Sequence, residues 1–220
     1  MRIIARFEKT ESVRFVSHLD IQRLFQRAFR RAQIPLAYSQ GFNPHPILSF
    51  ATALSVGYTS EAEWLDVKLA SDMDKDDFAR RVNGTLPEGF RIIEVFSVDE
   101  RFPSLSAIMA AADYTLQVFD PPADLAPRIE TLLSAPIMVE KRTKGGMRTV
   151  DIRPMLYDYR YSNGFMRILG CLDAKGSLNI DLFMGALLKQ DASAASYRVH
   201  RNRIFSNDGV LMPKMPERLS

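Results

Sequence analysis

Cysteine, histidine and long apolar runs are all scarce in this 220-residue sequence. The single cysteine, Cys171, excludes an intramolecular disulfide and a cysteine-ligated iron–sulfur cluster, and its apolar neighbours predict a buried position. The three histidines lack the spacing of a zinc site, and no glycine-rich nucleotide-binding motif occurs. We therefore expect no metal ion and no cofactor.

The lack of a long apolar run also argues against a membrane protein, because a spanning helix needs about 18 or more such residues. Arg2 and Arg6 appear before any apolar segment of signal-peptide length. Apolar residues make up 46% and charged residues 25%, which is average for a globular chain. These observations predict a soluble cytoplasmic protein that does not associate with membranes.

Negative charge is sparse in the first fifty residues, which hold eight cations and three acids. Residues 61–100 reverse this balance, with five cations and eleven acids. The first segment is therefore net +5 and the second net −6. Such asymmetry indicates an oriented surface that suits an anionic partner.

Hydrophobic periodicity predicts two copies of one β-α-β-β-α-β plan. In the first half, strands are expected at 2–9, 47–56, 63–69 and 90–98, with helices at 18–34 and 72–86. In the second half, strands are expected at 114–119, 136–142, 149–161, 165–172 and 197–205, with helices at 123–135 and 180–189. The strand count there is ambiguous by one.

This plan predicts an α+β protein of two tandem ferredoxin-like domains with antiparallel sheets. The domains are expected at residues 1–100 and 113–206, with a flexible tail at 207–220. A single larger mixed sheet is the alternative.

The predicted first helix concentrates positive charge on one side. Its basic residues follow at i, i+4, i+7 and i+8, away from the apolar stripe, and are Arg23, Arg27, Arg30 and Arg31. Like charges at this spacing repel, so a phosphate backbone or another anionic partner would relieve the repulsion. The alternative is a solvated face whose arginines pair with acids such as those between Asp72 and Asp77.

Two histidines and an acid lie at the start of this helix and in the loop that follows it. His18 and Asp20 are at the helix start, and His45 stands between two prolines in the following loop. Imidazoles beside arginines can act as general acid and base in metal-independent RNA cleavage. The alternative is that His18 and Asp20 cap the helix and His45 fixes a turn.

The loop after the basic helix carries aromatic and polar side chains. Tyr38 and Phe42 could stack on bases of single-stranded RNA, and Asn43 and His45 could contact the same nucleotide. The alternative, which explains both residues equally well, is that Tyr38 and Phe42 are aromatic side chains at the edge of a hydrophobic core.

A second basic segment lies at a predicted hairpin tip in the second half. Its cations are Lys141, Arg142, Lys144 and Arg148, and Arg153 follows closely. Exposed loops of this kind commonly contact phosphates. The alternative is that this segment is an exposed turn whose lysines only keep it soluble.

Several segments resemble the radical SAM-linked family of uncharacterised bacterial proteins. They are residues 6–9, 14–20, 49–51 and 151–154 and, above all, Ala37-Tyr38-Ser39-Gln40-Gly41-Phe42-Asn43-Pro44-His45-Pro46. Members occur alone or fused behind a radical SAM enzyme domain, so the resemblance implies that such an enzyme is the partner. With only Cys171, this chain cannot hold the three-cysteine cluster of that chemistry.

We therefore expect an accessory protein rather than an enzyme. The leading hypothesis is an RNA-binding protein that presents RNA, with transfer or ribosomal RNA as candidates, to a radical SAM modifying enzyme. The alternatives are a protein–protein adaptor that docks on such an enzyme, and a metal-independent endoribonuclease.

Overall fold

The computed structural model describes residues 1–143, 145–173, 176–188 and 196–219. The chain forms two compact units, one of residues 1–109 with 201–203 and one of residues 110–200 with 204–220. Both mix helices with mostly antiparallel strands. Among the described residues, no helix is long and apolar enough to cross a membrane.

The first unit runs strand, helix, two strands, helix, strand. Its elements are β1 (Arg2–Lys9), α1 (His18–Arg31), β2 (Leu48–Phe50), β3 (Thr59–Lys68), α2 (Lys75–Asn83), β4 (Phe90–Val98) and the short α3 (Leu105–Ile108). These strands lie in the order β4-β1-β3-β2, and each neighbouring pair is antiparallel.

The helices α1 and α2 cover one face of this sheet. Because side chains alternate along a strand, Ile3, Ala5 and Phe7 all point to that face and are buried. Phe25 of α1 lies with its ring centroid 4.8 Å from that of Phe7 and 5.7 Å from that of Phe50. Burying each such ring contributes roughly 1.5–3 kcal/mol, so this aromatic cluster holds α1 on the sheet.

The second unit contains a two-stranded hairpin beside its other strands. Its elements are β5 (Met109–Val118), α4 (Leu125–Leu133), β6 (Met138–Thr143), β7 (Gly146–Asp151), β8 (Leu156–Ser162), β9 (Phe165–Cys171), α5 (Ile180–Leu188) and β10 (Tyr197–Ser206). Four strands lie in the order β10-β5-β9-β8, whereas β6 and β7 pair with each other, and with no other strand of the described residues, in a separate two-stranded sheet. The hairpin lies between α4 and β8 in the sequence.

Two expected strands are shortened or split in the structure, and the strands expected at 63–69 and 114–119 begin earlier, at Thr59 and Met109. The strand expected at 47–56 is reduced to β2, because after Phe50 the chain turns away and the Gly57 N–H donates to the Arg14 carbonyl at 2.8 Å. The strand expected at 149–161 is split, because the Asp151 carboxylate accepts from the N–H groups of Ile137 and Arg153 and a 3-10 turn follows.

The segment after β10 folds back along the chain. Met212 and Leu219 are buried. The Ser206 N–H donates to the Pro213 carbonyl at 2.9 Å, and its hydroxyl donates to the Met212 carbonyl at 3.0 Å. The part of residues 207–220 that the structure describes therefore has its own contacts with the end of β10.

Two glycines with positive φ provide a matched test of packing in the first unit. Gly89 has φ +95°, and an added Cβ would lie 2.8 Å from both methyl groups of Val13. Gly57 has φ +89° with open space around the same position. We expect Gly57→Ala to lower the free energy of unfolding by about 1 kcal/mol and Gly89→Ala by about 1–3 kcal/mol more, measured by urea denaturation. Equal losses would show that the turn at residues 11–13 shifts to make room.

Candidate nucleic-acid interface

The basic helix α1 begins at a capped N-terminus. Ser17 Oγ accepts from the Asp20 N–H at 3.3 Å and donates to the Asp20 carboxylate at 2.6 Å. This cap satisfies one of the free N–H groups of the first turn. With Ile21, Phe25 and Phe29 buried on the inner side, the arginines lie on the outer side.

All four arginines of α1 are exposed, but they differ in their partners. Arg23 forms an ion pair with Asp20 at 3.5 Å, and Arg31 donates to the Thr85 carbonyl. The side chains of Arg27 and Arg30 form no hydrogen bond or ion pair with any residue in the described ranges. An exposed ion pair such as that of Arg23 contributes only about 0–1 kcal/mol. The outer face of α1 is therefore largely uncompensated positive charge.

The acids between Asp72 and Asp77 do not supply the missing partners. The Asp74 carboxylate caps α2 by accepting from the Asp76 and Asp77 N–H groups. Asp77 pairs with Arg80 and, at 3.7 Å, with Arg81 of its own helix. Within the described residues, these acids therefore do not pair with the arginines of α1, contrary to the alternative considered from the sequence.

Hydrogen bonds hold together the two ends of the loop of residues 39–45, which follows α1. The Ala37 N–H donates to the Lys68 carbonyl and the Ser39 N–H to the His45 carbonyl, each at 2.9 Å. The Ser39 hydroxyl also lies 2.9 Å from His45 Nδ1. Beyond these hydrogen bonds, Phe42 is fully exposed, and Asn43 is exposed beside it. Tyr38 is 42% exposed, so it lies at the surface rather than in the core.

A groove of about 500 Å³ opens at the base of this loop. Its lining includes His45, Arg2 and Lys68. Arg2 and Lys68 are adjacent in sequence to residues that face the helices, so their own side chains lie on the other face of the sheet. Both cations are already paired. Arg2 makes three hydrogen bonds to the Asp66 carboxylate, of 2.6–3.2 Å, and Lys68 Nζ lies 2.6 Å from Glu100. The groove is therefore close to neutral, and it lies on the sheet face opposite to α1.

The structure does not bring the two candidate histidines together. His18 is half-buried on the helix side, with its ring edge-on to Phe50 at 5.6 Å and its Nε2 3.0 Å from Gln22. Burial lowers the pKa of His18 below its ordinary value, although the Glu63 carboxylate opposes the shift. Within the described residues, no hydrogen bond or ring contact joins His18 to His45. Asp20 is engaged in the cap and with Arg23.

The hairpin of β6 and β7 presents cations close to its tip. Lys141 stands directly opposite Arg148, and Arg142 opposite Met147. Arg142 and Arg148 are exposed. Lys144 lies outside the described residues. Like charges directly opposite each other destabilise a strand pair, so this register also favours an anion between them.

Arg153 occupies a structural position instead. Its Nε donates to the Leu133 carbonyl at 2.9 Å, at the end of α4, and its Nη1 donates to the Leu156 carbonyl at 3.1 Å. Such bonds fix the joint between the hairpin and β8.

No group of three or more histidine, cysteine, aspartate or glutamate side chains within the described ranges could hold a metal ion. Cys171 is buried, and its Sγ lies 3.4 Å from the Gly176 carbonyl.

A family model described as an uncharacterized protein conserved in bacteria, DUF2344, matches residues 2–186. The chain belongs to DUF2344. That description names no radical SAM enzyme, so the link to such enzymes stays a prediction. No curated protein matches the sequence significantly.

Sequence reasoning missed a buried charged cluster beneath the start of α1 in this DUF2344 chain. Lys9 and Glu63 are both buried. Lys9 donates to the Arg14 carbonyl at 2.7 Å, and Glu63 accepts from Arg201 at 2.8 Å. A signal was present, because the alternation of Ile3, Ala5 and Phe7 puts Lys9 on the same apolar face.

Replacing Lys9 with methionine gives a test of this cluster through pH. Burial lowers the pKa of Lys9 to about 8 from 10.5, while the Glu63 carboxylate opposes the shift. Below pH 8 the lysine is protonated in both states, so the folded chain bears the full cost of burying the charge. As the pH rises from 8 towards 10.5, the folded chain loses this proton while the unfolded chain keeps it, and the free energy of unfolding increases.

We expect the wild type to gain about 1–3 kcal/mol of unfolding free energy relative to Lys9→Met between pH 7 and pH 10, measured by urea denaturation at each pH. A stability difference that stays constant across this range would contradict the assigned shift.

Proposed function

We propose that this chain is an RNA-binding accessory protein that presents RNA, with transfer or ribosomal RNA as candidates, to a radical SAM modifying enzyme acting in trans. The observation that carries the proposal is the outer face of α1, where Arg27 and Arg30 stand exposed and without side-chain partners in the described part of the chain. The proposal places the protein in the cytoplasm, where such RNA is found.

A phosphate backbone is a suitable partner for this face. Phosphates spaced along a strand can each accept from one guanidinium, whereas a compact anion reaches only one or two. The helix is rigidly seated by the aromatic cluster around Phe25, so its arginines keep a fixed spacing. The cations of the β6–β7 hairpin supply the same chemistry on a second element.

The chain's role is to bind rather than to catalyse. Cleavage without a metal needs both candidate imidazoles at one phosphate, and His18 and His45 lie on opposite faces of one sheet. The radical SAM enzyme is a separate polypeptide in this proposal, because Cys171 is the only cysteine. An acidic surface of that enzyme is the competing partner for α1.

We further propose that both units are ferredoxin-like, giving the tandem architecture expected from the sequence. The strand orders β4-β1-β3-β2 and β10-β5-β9-β8 follow one pattern in which the fourth strand lies beside the first. In the second unit the β6–β7 hairpin is then an insertion between the first helix and the second strand.

Reversing two charges on α1 tests the RNA-binding proposal. We expect Arg27→Glu plus Arg30→Glu to weaken binding of bulk cellular RNA and to reduce the slope of log K against log salt by about 1.4, since each lost phosphate contact lowers it by about 0.7. Binding is measured by filter retention between low and moderate salt.

The matched control is Arg91→Glu plus Arg101→Glu, which changes the net charge equally at two other exposed arginines of the same unit. Equal weakening by both variants would mean that binding depends on net charge and not on α1. If the wild type binds no RNA and instead binds an acidic surface of a radical SAM enzyme, the adaptor function is correct.

A single substitution tests the hairpin as a second contact. Lys141→Glu replaces the like-charged pair with Arg148 by an opposite-charged one. We expect it to raise the unfolding free energy by about 0.2–1 kcal/mol while weakening RNA binding. Lys214→Glu makes the same charge change at an exposed lysine elsewhere in the second unit and should leave RNA binding nearly unchanged. Retained RNA affinity in Lys141→Glu would remove the hairpin from the interface.

A further inference from the structure

Phe15 is a large aromatic residue held in solvent at one end of α1. Its side chain is 69% exposed and lies between the 3-10 turn Glu11–Val13 and the first residue of the helix. Single exposed apolar residues are common in proteins, so exposure alone carries no conclusion. Three further features set this residue apart.

The backbone beside Phe15 is firmly held. The Arg14 carbonyl accepts from the buried Lys9 ammonium at 2.7 Å and from the Gly57 N–H at 2.8 Å. On the other side, the Val16 N–H donates to the Val13 carbonyl at 2.9 Å. The ring is thus presented from a fixed point, which lowers the entropy lost when a ligand packs on it.

One face of the ring already carries a cation. The Arg14 guanidinium carbon lies 4.5 Å from the Phe15 ring centroid, and Glu11 holds that guanidinium at 2.5 Å. A cation at this distance is attracted to the ring face and limits the positions the ring can take. With the side chain as exposed as it is, the ring retains area on which a flat ligand can stack.

An exposed row of side chains on α1 begins close to Phe15 in the chain. Leu19 is 61% exposed, and Arg23 and Arg27 follow at successive steps of four residues. Residues four apart lie one above the other on a helix, so Leu19, Arg23 and Arg27 form one row. This row begins in the first turn of α1, at the end of the helix next to Phe15. Alternation of a stacking ring with backbone-binding cations is how single strands are held.

We propose that Phe15 is a stacking platform for one unpaired nucleobase, and that the strand's phosphates continue along the arginines of α1. This inference rests on the RNA-binding function proposed above and adds the class of substrate: single-stranded RNA, or an unpaired end or loop. In a duplex the bases are paired and stacked on each other, so no base is available to stack on Phe15.

The test compares two forms of one RNA. A fluorescent single-stranded 12-mer and the same strand annealed to its complement are titrated with wild type, Phe15→Ala, Phe15→Leu, Phe15→Trp and Phe165→Ala, by fluorescence anisotropy. Phe165 is the control, because its ring is 50% exposed and lies in the other unit.

We expect Phe15→Ala and Phe15→Leu to weaken single-strand binding by about 5- to 150-fold, with duplex binding unchanged. Phe15→Trp should bind the single strand at least as well as wild type, and Phe165→Ala should match wild type on both. Phe15→Leu keeps apolar bulk and the fold, so its loss of affinity separates stacking from a hydrophobic contact with a protein.

Other results overturn the inference in distinguishable ways. If Phe15→Ala binds both RNA forms as wild type does while Arg27→Glu plus Arg30→Glu does not, the inference fails and RNA binding stands. Equal loss on both forms, or full retention by Phe15→Leu, also excludes stacking. If wild type binds neither form, the proposed function fails as well, and a protein partner becomes the occupant of this face.

Discussion

The contact of Phe25 with Phe7 and Phe50 determines where α1 lies. The three rings come from the helix, from β1 and from the short edge strand β2, and their centroids are less than 6 Å apart across the pairs that involve Phe25. Because these rings occupy the inner side of the helix, the outer side has no apolar role left. The outward position of the arginines on α1 follows from this packing.

Beneath the same helix, the unit tolerates a costly arrangement. A buried ammonium and a buried carboxylate stabilise a fold less well than apolar side chains of the same size. Here Lys9 holds the carbonyl of Arg14, which also accepts from Gly57 in another loop. One buried cation therefore fixes the meeting point of two surface loops. That point is the base from which Phe15 is presented.

Periodicity in the sequence was sufficient to predict most helices and strands. It could not show that the segment 149–161 breaks, because the break depends on the Asp151 carboxylate bonding to Ile137, a partner fourteen positions away. For the interface, the row of arginines was visible from spacing alone. Their lack of partners was not, since pairing with distant acids is decided by tertiary structure. Phe15 looked like an ordinary motif residue.

The β6–β7 hairpin can change in length without disturbing the other strands of the second unit. Its two ends are brought together where the Asp151 carboxylate accepts from the Ile137 N–H, and within the described residues its strands pair with each other alone. The pairing of β10, β5, β9 and β8 therefore does not depend on the hairpin's length. Insertions and deletions in this arm are therefore compatible with an unchanged register of those four strands.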